Sequence, residues 1–220
     1  VLQYQQRHPE ADILVVRDTY SALADSCVAQ WMRTFGEYGH LGGGMVPDFT
    51  WNKRVTGHNG KPITGVIKFR AAAEEWAIQK FLSMEVGMAW LEEATPGITA
   101  SGLLSQGLPP GLFAGIWARV RQVKEERRLV LTASPPPSDK HWFYTIFYEG
   151  KPLTDLKTVL TDRGELGIDQ TGLRWEDMLR SIALWQLDRN ENVENLPAGY
   201  SESILPFLQT PDQVDRFYHG

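Results

Sequence analysis

The sequence predicts an α/β protein in which helices flank a mostly parallel β-sheet. Two short apolar runs, at residues 12–17 and 128–132, predict buried strands. The first run is followed at once by Tyr20–Phe35, whose apolar residues recur at helical spacing, and a strand followed by a helix is typical of parallel sheets. A third apolar run, Val86–Leu91, fits a strand or a helix, and its shortness favours a strand.

The residues between the first and third runs predict a break, a hairpin and a second helix. Gly36–Gly44 is rich in glycine and ends the first helix. Two alternating runs, Asp48–Val55 and Ile63–Phe69, flank an Asn-Gly turn and predict an antiparallel hairpin. Ala71–Met84 has apolar residues on one helical face and leads into the Val86–Leu91 run.

The elements that follow complete the predicted core. Leu112–Arg128 predicts a helix, which leads into the strand at residues 128–132. Residues 133–142 contain three consecutive prolines and predict a stiff loop. Phe143–Tyr148 predicts one more strand. The composition then changes near Gly150, which we expect to be the end of the main sheet.

The sequence therefore divides into a predicted core at residues 1–150 and a small helical lid or linker segment at residues 151–220. Within the second part, Arg174–Leu187 predicts an amphipathic helix. Ser201–Leu208 is a short apolar element, and Pro211 suits the first position of a last helix.

The composition is that of an ordinary globular protein and excludes several functional classes. A net charge of -5 argues against a dedicated nucleic-acid coat but allows a local basic stripe. Cys27 is the only cysteine, which excludes an internal disulfide and a zinc site built on cysteines. Its place on a predicted helix indicates a small buried side chain. No apolar run approaches the roughly 20 residues that span a membrane.

Two of the predicted strands end in residues that suit phosphate chemistry. Glu92 and Glu93 follow one strand, while Thr132 ends another and Ser134 lies two residues further on. If these strands are neighbours in a parallel sheet, their carboxyl ends share the edge where open α/β sheets bind ligands. One carboxylate can then hold Mg²⁺, and the second can activate a water that attacks a terminal phosphate. A hydroxyl on the adjacent strand can sense that phosphate.

Three arginines near these elements each have two interpretations. Arg17, the last residue of the first strand, can approach phosphates or can pair with Asp18 or Asp25. Arg119 and Arg121, on the predicted helix, suit a trans-acting arginine finger. The alternative for them is a solvated basic face, which is also the best local candidate for a contact with DNA phosphates.

Four sequence blocks, in order, resemble one family of viral ATPases. They are Ile13–Ser26, Met88–Thr95, Leu129–Trp142 and Glu191–Tyr200. The first resembles the segment after a phosphate loop, the second a Walker B acid with its catalytic glutamate, and the third a coupling motif. The fourth resembles the segment that precedes a nuclease domain. Together they are similar to the ATPase domain of the large subunit of tailed-bacteriophage terminases.

The resemblance implies a P-loop NTPase-like fold that uses ATP and Mg²⁺ to drive viral duplex DNA into a capsid. By position, Glu92 is the implied magnesium acid and Glu93 the general base. Thr132 and Ser134 are the implied coupling residues, with Arg17 also near the nucleotide. Ser134 departs from the asparagine that the family often has at its position.

The resemblance also implies partners and a location. The implied partners are double-stranded DNA, the portal protein, the small terminase subunit and further copies of the chain in a ring on the capsid. No membrane is involved. The implied location is the host cytoplasm, transiently on the viral procapsid.

The sequence contains no Gly-x-x-x-x-Gly-Lys-[Ser/Thr] phosphate loop. Because the chain starts at Val1 and ends at Gly220, we expect a fragment without the Walker A loop and the nuclease domain. Such a fragment is expected to be inactive by itself. Two alternatives remain open: a helicase-like DNA-dependent ATPase, and a catalytically degenerate structural ring subunit.

Overall fold

The structure is a computed structural model that describes most of the first 150 residues. The described residues are 1–43, 47–72, 78–81, 83–95, 107–136, 138–150 and Ala183. The chain divides into two compact units, Val1–Ala133 and Ser134–Gly220. The elements predicted beyond residue 150 and the fourth terminase-like block lie outside the described residues. The predicted domain boundary near Gly150 stays a prediction.

A mixed sheet forms the centre of the first unit. Its six strands in the described chain are β1 (Ile13–Arg17), β2 (Gly39–Gly42), β3 (Asp48–Trp51), β4 (Ile67–Ala71), β5 (Met88–Glu92) and β6 (Arg128–Thr132). They lie in the order β2-β3-β4-β1-β5-β6. β1 pairs in parallel with β4 and with β5, and β5 pairs in parallel with β6. The pairs β2–β3 and β3–β4 are antiparallel. The predicted mostly parallel α/β sheet is therefore confirmed.

Short helices accompany this sheet. They are α1 (Leu2–Arg7), α2 (Tyr20–Leu23), α3 (Ala29–Phe35), α4 (Ile78–Phe81), α5 (Pro110–Trp117) and α6 (Trp142–Phe147). The helix predicted from Tyr20 to Phe35 is confirmed, but a π-helical turn, Ala24–Val28, separates its two α-helical parts. The Thr19 hydroxyl caps α2 by accepting the N–H of Ala22 at 3.3 Å. No helix in the described ranges is long and apolar enough to cross a membrane.

The core of the first unit is built around β1. Residues Ile13 to Val16 are completely buried, as expected for a central strand of a parallel sheet covered on both faces. Trp31 of α3 packs edge-on against Phe49 and Trp51 of β3, with ring centroids 5.7 and 5.8 Å apart. This aromatic packing fixes α3 against the sheet.

Helix α1, which the sequence analysis did not predict, is tied into the core by buried hydrogen bonds. The Gln5 amide donates to the carbonyl oxygens of Ala11 at 2.9 Å and Gly65 at 3.0 Å. Its oxygen accepts the indole N–H of Trp51 at 2.8 Å. Because every polar group of this buried amide is occupied on three chain segments, Gln5 is a structural residue.

The hairpin prediction is correct in its pairing and too long in its strands. β3 and β4 pair in antiparallel register, with Asp48 opposite Lys68 and Phe49 opposite Ile67. Ala71 is the last residue of β4, so the helix predicted to begin there starts later, and its described part is α4. The glycine-rich segment predicted as a break contains the edge strand β2.

The strand predicted at Phe143–Tyr148 is wrong, because these residues form helix α6 in the second unit. The ring nitrogen Nδ1 of His141 accepts the N–H of Phe143 at 3.2 Å and caps the helix. Phe143 packs on Phe147 at 4.6 Å, and Tyr144 stacks on Tyr148 at 5.0 Å. These contacts four residues apart favour a helix over the strand that the aromatic content suggested.

The helix predicted at Leu112–Arg128 is also wrong beyond Trp117, where α5 ends. Val120 forms a parallel bridge with Val86. The N–H of Val86 donates to the Arg119 carbonyl at 3.0 Å, and the N–H of Arg121 donates to the Val86 carbonyl at 2.9 Å. This pairing replaces the helical hydrogen bonds, so Arg119 and Arg121 do not lie on a helix.

We expect Gly65→Ala to destabilise the first unit, because an added Cβ would collide with the carbonyl group of Ala11. That carbonyl already accepts the Gln5 amide, so it has little freedom to move. The expected loss is about 1–3 kcal/mol in the free energy of unfolding, measured by urea denaturation. Gly42→Ala is the matched control, because its Cβ meets nothing within 4 Å. Equal losses for the two variants would contradict the packing described here.

Candidate functional site

The carboxyl ends of three neighbouring parallel strands form one polar edge. β1 ends at Arg17, β5 at Glu92 and β6 at Thr132. Glu92 lies directly opposite Thr132 in the β5–β6 register. The structure therefore brings together the two strand ends whose proximity the sequence analysis assumed, and it adds Arg17 beside them.

Arg17 forms an ion pair with Glu92. The distance between Arg17 Nη1 and Glu92 Oε2 is 2.9 Å, and both side chains are about four-fifths buried, at 19% and 21% exposure. A second, longer contact of 4.0 Å joins Arg17 Nε to Asp18. Arg17 Nη1 also donates to the Ser26 hydroxyl. The pair with Asp18 was one of the predicted alternatives, whereas the shorter pair with Glu92 was not foreseen.

The thiol of Cys27 is the second partner of Glu92. It lies in the π-helical turn, is only 6% exposed, and donates to Glu92 Oε2 at 3.3 Å. Burial, helped by the negative charge of Glu92, raises the pKa of this thiol to about 11, although a hydrogen bond from Ser26 acts in the opposite direction. The predicted buried cysteine is confirmed. Sequence reasoning missed its contact with the carboxylate, since nothing local links residues 65 positions apart.

Thr132 is held by a neighbour on β5. The indole N–H of Trp90 donates to the Thr132 hydroxyl oxygen at 3.0 Å. Trp90 and Glu92 are two residues apart on one strand, and side chains at that spacing share a face of the sheet. This alternation was a signal available in the sequence. Ser134, the other predicted coupling residue, belongs to the second compact unit.

Glu93 has a left-handed backbone conformation, with φ of 53°. This region is uncommon for residues other than glycine and costs conformational energy. Pairing with β6 resumes at the next residue, where the N–H of Ala94 donates to the Thr132 carbonyl at 3.0 Å. Glu92 and Glu93 are therefore adjacent in sequence but differ in backbone conformation. Backbone outliers such as Glu93 are concentrated at functional sites.

An open cavity of about 580 Å³ lies beside Glu92. Its walls include Trp31, Trp90, Cys27 and a second carboxylate, Asp25. A volume of this size is within the range of small-molecule sites. Among the described residues, no three histidine, cysteine, aspartate or glutamate side chains are grouped to hold a metal ion. One or two carboxylates together with water are an ordinary coordination for Mg²⁺.

No family model matches the sequence, and no curated protein matches it. Two solved structures of the large terminase of a thermophilic bacteriophage resemble the chain. The first, in complex with ADP, has a TM-score of 0.53 at 13% identity and covers 96% of this chain and 40% of the terminase. The second, from another crystal form, has a TM-score of 0.44 at 12% identity and covers 72% and 38%.

At this identity the likeness to the ADP-bound terminase concerns the fold. A mixed, mostly parallel six-stranded sheet flanked by helices is the α/β, P-loop NTPase-like fold of that terminase. The chain spans 40% of the terminase's length. The site residues Arg17, Glu92, Glu93, Thr132 and Ser134 remain predictions in their functional roles.

We expect Glu93→Gly to be more stable than Glu93→Ala by about 1 kcal/mol, because glycine adopts positive φ without the Cβ clash. Urea denaturation of the two variants measures the difference. At Glu85, which is not among the residues with positive φ, the order should reverse, with alanine the more stable. The same order at both positions would show that Glu93 is not left-handed in solution.

We expect the Cys27 thiol to resist alkylation in the folded chain. A pKa of about 11 instead of 9.0 lowers the thiolate fraction at pH 8 by a factor of about 100. Iodoacetamide modification followed by mass spectrometry should therefore be about 100-fold slower than in the urea-unfolded chain. Glu92→Gln removes the neighbouring negative charge and should accelerate it, while Glu10→Gln, at an exposed position, should not. Equal rates for both variants would refute the Cys27–Glu92 contact.

Proposed function

We propose that the chain contributes the acidic half of an ATP-hydrolysing site in a DNA-packaging motor related to the large terminases. The observation that carries this proposal is the placement of Glu92 opposite Thr132, at the carboxyl ends of adjacent parallel strands. This edge is where open α/β sheets bind their ligands. The fold is that of a large terminase solved with ADP, which supports a nucleotide as the ligand.

Glu92 is the proposed magnesium acid. Glu92 and Thr132 lie opposite each other at one edge, Glu93 follows directly in sequence, and hard oxygen donors such as theirs are those that Mg²⁺ prefers. When bound, Mg²⁺ would neutralise charge on the transferred phosphoryl group. In the structure one cation, the Arg17 guanidinium, already contacts the Glu92 carboxylate.

Arg17 gains a specific role from this pairing. Its guanidinium compensates Glu92 while both side chains are largely removed from water, where an unpaired charge is costly. A cation at Glu92 would release the guanidinium, which is a strong ligand for phosphate oxygens. In this proposal Glu92 would hold Mg²⁺ in place of Arg17, and the Arg17 guanidinium would then be available to bind the nucleotide.

Glu93 is the proposed general base. Its carboxylate follows the magnesium acid directly, and the left-handed backbone lets the two adjacent side chains serve separate roles. Thr132, with its hydroxyl held by Trp90, is the proposed sensor on the next strand. Ser134, at the start of the proline-rich loop, would pass the loss of the phosphate to the second unit.

The other functions implied by the terminase resemblance remain part of the proposal. They are movement of double-stranded DNA, a homo-oligomeric ring on the portal protein, a small terminase subunit as partner, and work in the host cytoplasm on the procapsid. Since the sequence contains no Gly-x-x-x-x-Gly-Lys-[Ser/Thr] element, we expect little ATP hydrolysis from these 220 residues by themselves.

The test measures ATP hydrolysis by the full-length protein, with and without blunt duplex DNA. Glu93→Gln should lower kcat by about 100-fold or more, because it removes a general base. Glu92→Gln should raise the magnesium concentration needed for half-maximal rate. The matched control is Glu85→Gln, a carboxylate that precedes β5 and pairs with Arg121, and it should leave kcat unchanged.

Three results would contradict this proposal. Full activity of Glu93→Gln would exclude the general-base role. Absence of both nucleotide binding and hydrolysis would favour a degenerate structural ring subunit. ATP-dependent strand separation would favour a helicase-like ATPase.

A further inference from the structure

A second carboxylate, Glu126, is contacted by three basic side chains. Glu126 Oε1 lies 2.6 Å from Arg7 Nη2 and 2.9 Å from Arg128 Nη2. Its other oxygen lies 2.8 Å from His8 Nε2. Arg7 and His8 are at the end of α1, and Glu126 and Arg128 are more than a hundred residues later. The fold therefore concentrates positive charge where the sequence shows only separate residues.

The segment that carries Glu126 is fastened along its length. The Gln122 side chain accepts the N–H of Asp12 at 2.8 Å and donates to the Glu85 carbonyl at 2.9 Å. The Tyr4 hydroxyl lies 2.8 Å from the Glu126 carbonyl oxygen. Together with the pairing of Val120 and Val86, these bonds hold the loop in one conformation. Side chains on such a loop lose less backbone freedom when they bind a partner.

Positive charge is in excess on this loop. Between Arg119 and Arg128 there are five cationic and two acidic side chains, in a chain whose net charge is -5. Lys124 and Arg127 are exposed, and neither makes an ion pair within the described part of the chain. Hydrogen bonds from His8 and Arg7 hold the pKa of Glu126 below its usual value, which keeps this carboxylate ionised as the centre of the cluster.

We propose that this basic cluster, made of Arg7, His8, Lys124, Arg127 and Arg128 around Glu126, binds the phosphodiester backbone of a nucleic acid. Residues 124–128 are Lys-Glu-Glu-Arg-Arg and contain no apolar side chain, whereas a protein interface of comparable size has an apolar centre. Protein surfaces that contact the backbone of a nucleic acid are polar and strongly positive, and guanidinium and ammonium groups bind its phosphates. The binding is expected to be independent of base sequence.

The cluster lies apart from the ATP site of the proposed function. Arg128 begins β6 and Thr132 ends it, and this separation corresponds to about 13 Å along a strand. Nucleic acid bound there would leave the Glu92 edge accessible. Only the choice of duplex DNA as the natural ligand rests on the proposed motor function. Backbone binding itself does not depend on that function.

The experiment measures the affinity of the 220-residue chain for a fluorescent DNA duplex by anisotropy, without nucleotide and over a range of salt concentrations. Lys124→Glu with Arg127→Glu should weaken binding about 10-fold or more and reduce the slope of log K against log salt by about two, because two phosphate contacts are lost. Glu125→Lys should strengthen binding several-fold, a gain that misfolding cannot produce.

The matched control is Lys53→Glu with Arg54→Glu, two exposed cations in the turn after β3. This double variant has the same net charge, and β3 lies four strands from β6, which begins at Arg128. It should bind DNA within about twofold of wild type, since general attraction contributes weakly at a distance in salt. Equal weakening by both double variants would overturn the proposal, as would the absence of a gain for Glu125→Lys.

Two further measurements distinguish nucleic-acid binding by the cluster from an acidic protein partner and from the ATPase proposal. Poly-glutamate and unlabelled DNA are compared as competitors of the fluorescent duplex at equal charge concentration. Equal competition by poly-glutamate would overturn nucleic-acid binding in favour of an acidic protein partner. Glu93→Gln should leave DNA affinity unchanged. Weakened DNA binding in the cluster variants would therefore support the cluster even if the ATPase proposal failed.

Discussion

The position of β1 in the middle of the sheet is the constraint on which the rest of the structure depends. Its residues Ile13 to Val16 are inaccessible to solvent, and it pairs in parallel on both sides. Because both edges of β1 are in use, the starts of β4 and β5 are fixed relative to it, and β6 is fixed through β5. The alignment of Arg17, Glu92 and Thr132 follows from this registration.

The main electrostatic feature of the strand edge at Arg17, Glu92 and Thr132 is the negative charge of Glu92 and the groups that balance it. Glu92 is largely buried, and it is stabilised by the Arg17 guanidinium and by a neutral thiol donor, Cys27. Because an unpaired charge removed from water is costly, these two contacts offset the cost of burying Glu92. Thr132, in contrast, is exposed, and its hydroxyl accepts a hydrogen bond from the Trp90 indole. The two residues therefore differ in environment: the Glu92 side chain is largely buried between two partners, and Thr132 is exposed.

The sequence predicted the fold where patterns are local and failed where distant contacts decide. The strand at residues 128–132 was predicted with its observed bounds, because Leu129, Val130 and Leu131 are a short apolar run between polar residues. The residues after Trp117 have helical composition, yet bridging to Val86 directs them elsewhere. In the candidate site, Glu92 and Thr132 were predicted as strand ends, but the β5–β6 pairing that places them opposite each other was an assumption until the structure showed it. The pair of Arg17 with Glu92, and the cluster around Glu126, depend on three-dimensional contacts that no local pattern reports.

The hydrogen bonds of α1 affect when this helix can reach its folded contacts during synthesis. The Tyr4 hydroxyl meets the carbonyl of Gly87, 83 residues later, and that of Glu126, 122 residues later. Contacts so distant in sequence give a high contact order, and such topologies fold slowly because long loops must close before the contacts form. Helix α1 therefore cannot complete these contacts until the chain has been synthesised as far as Glu126. Before that point, Tyr4, which is buried in the folded chain, lacks at least one of these two partners.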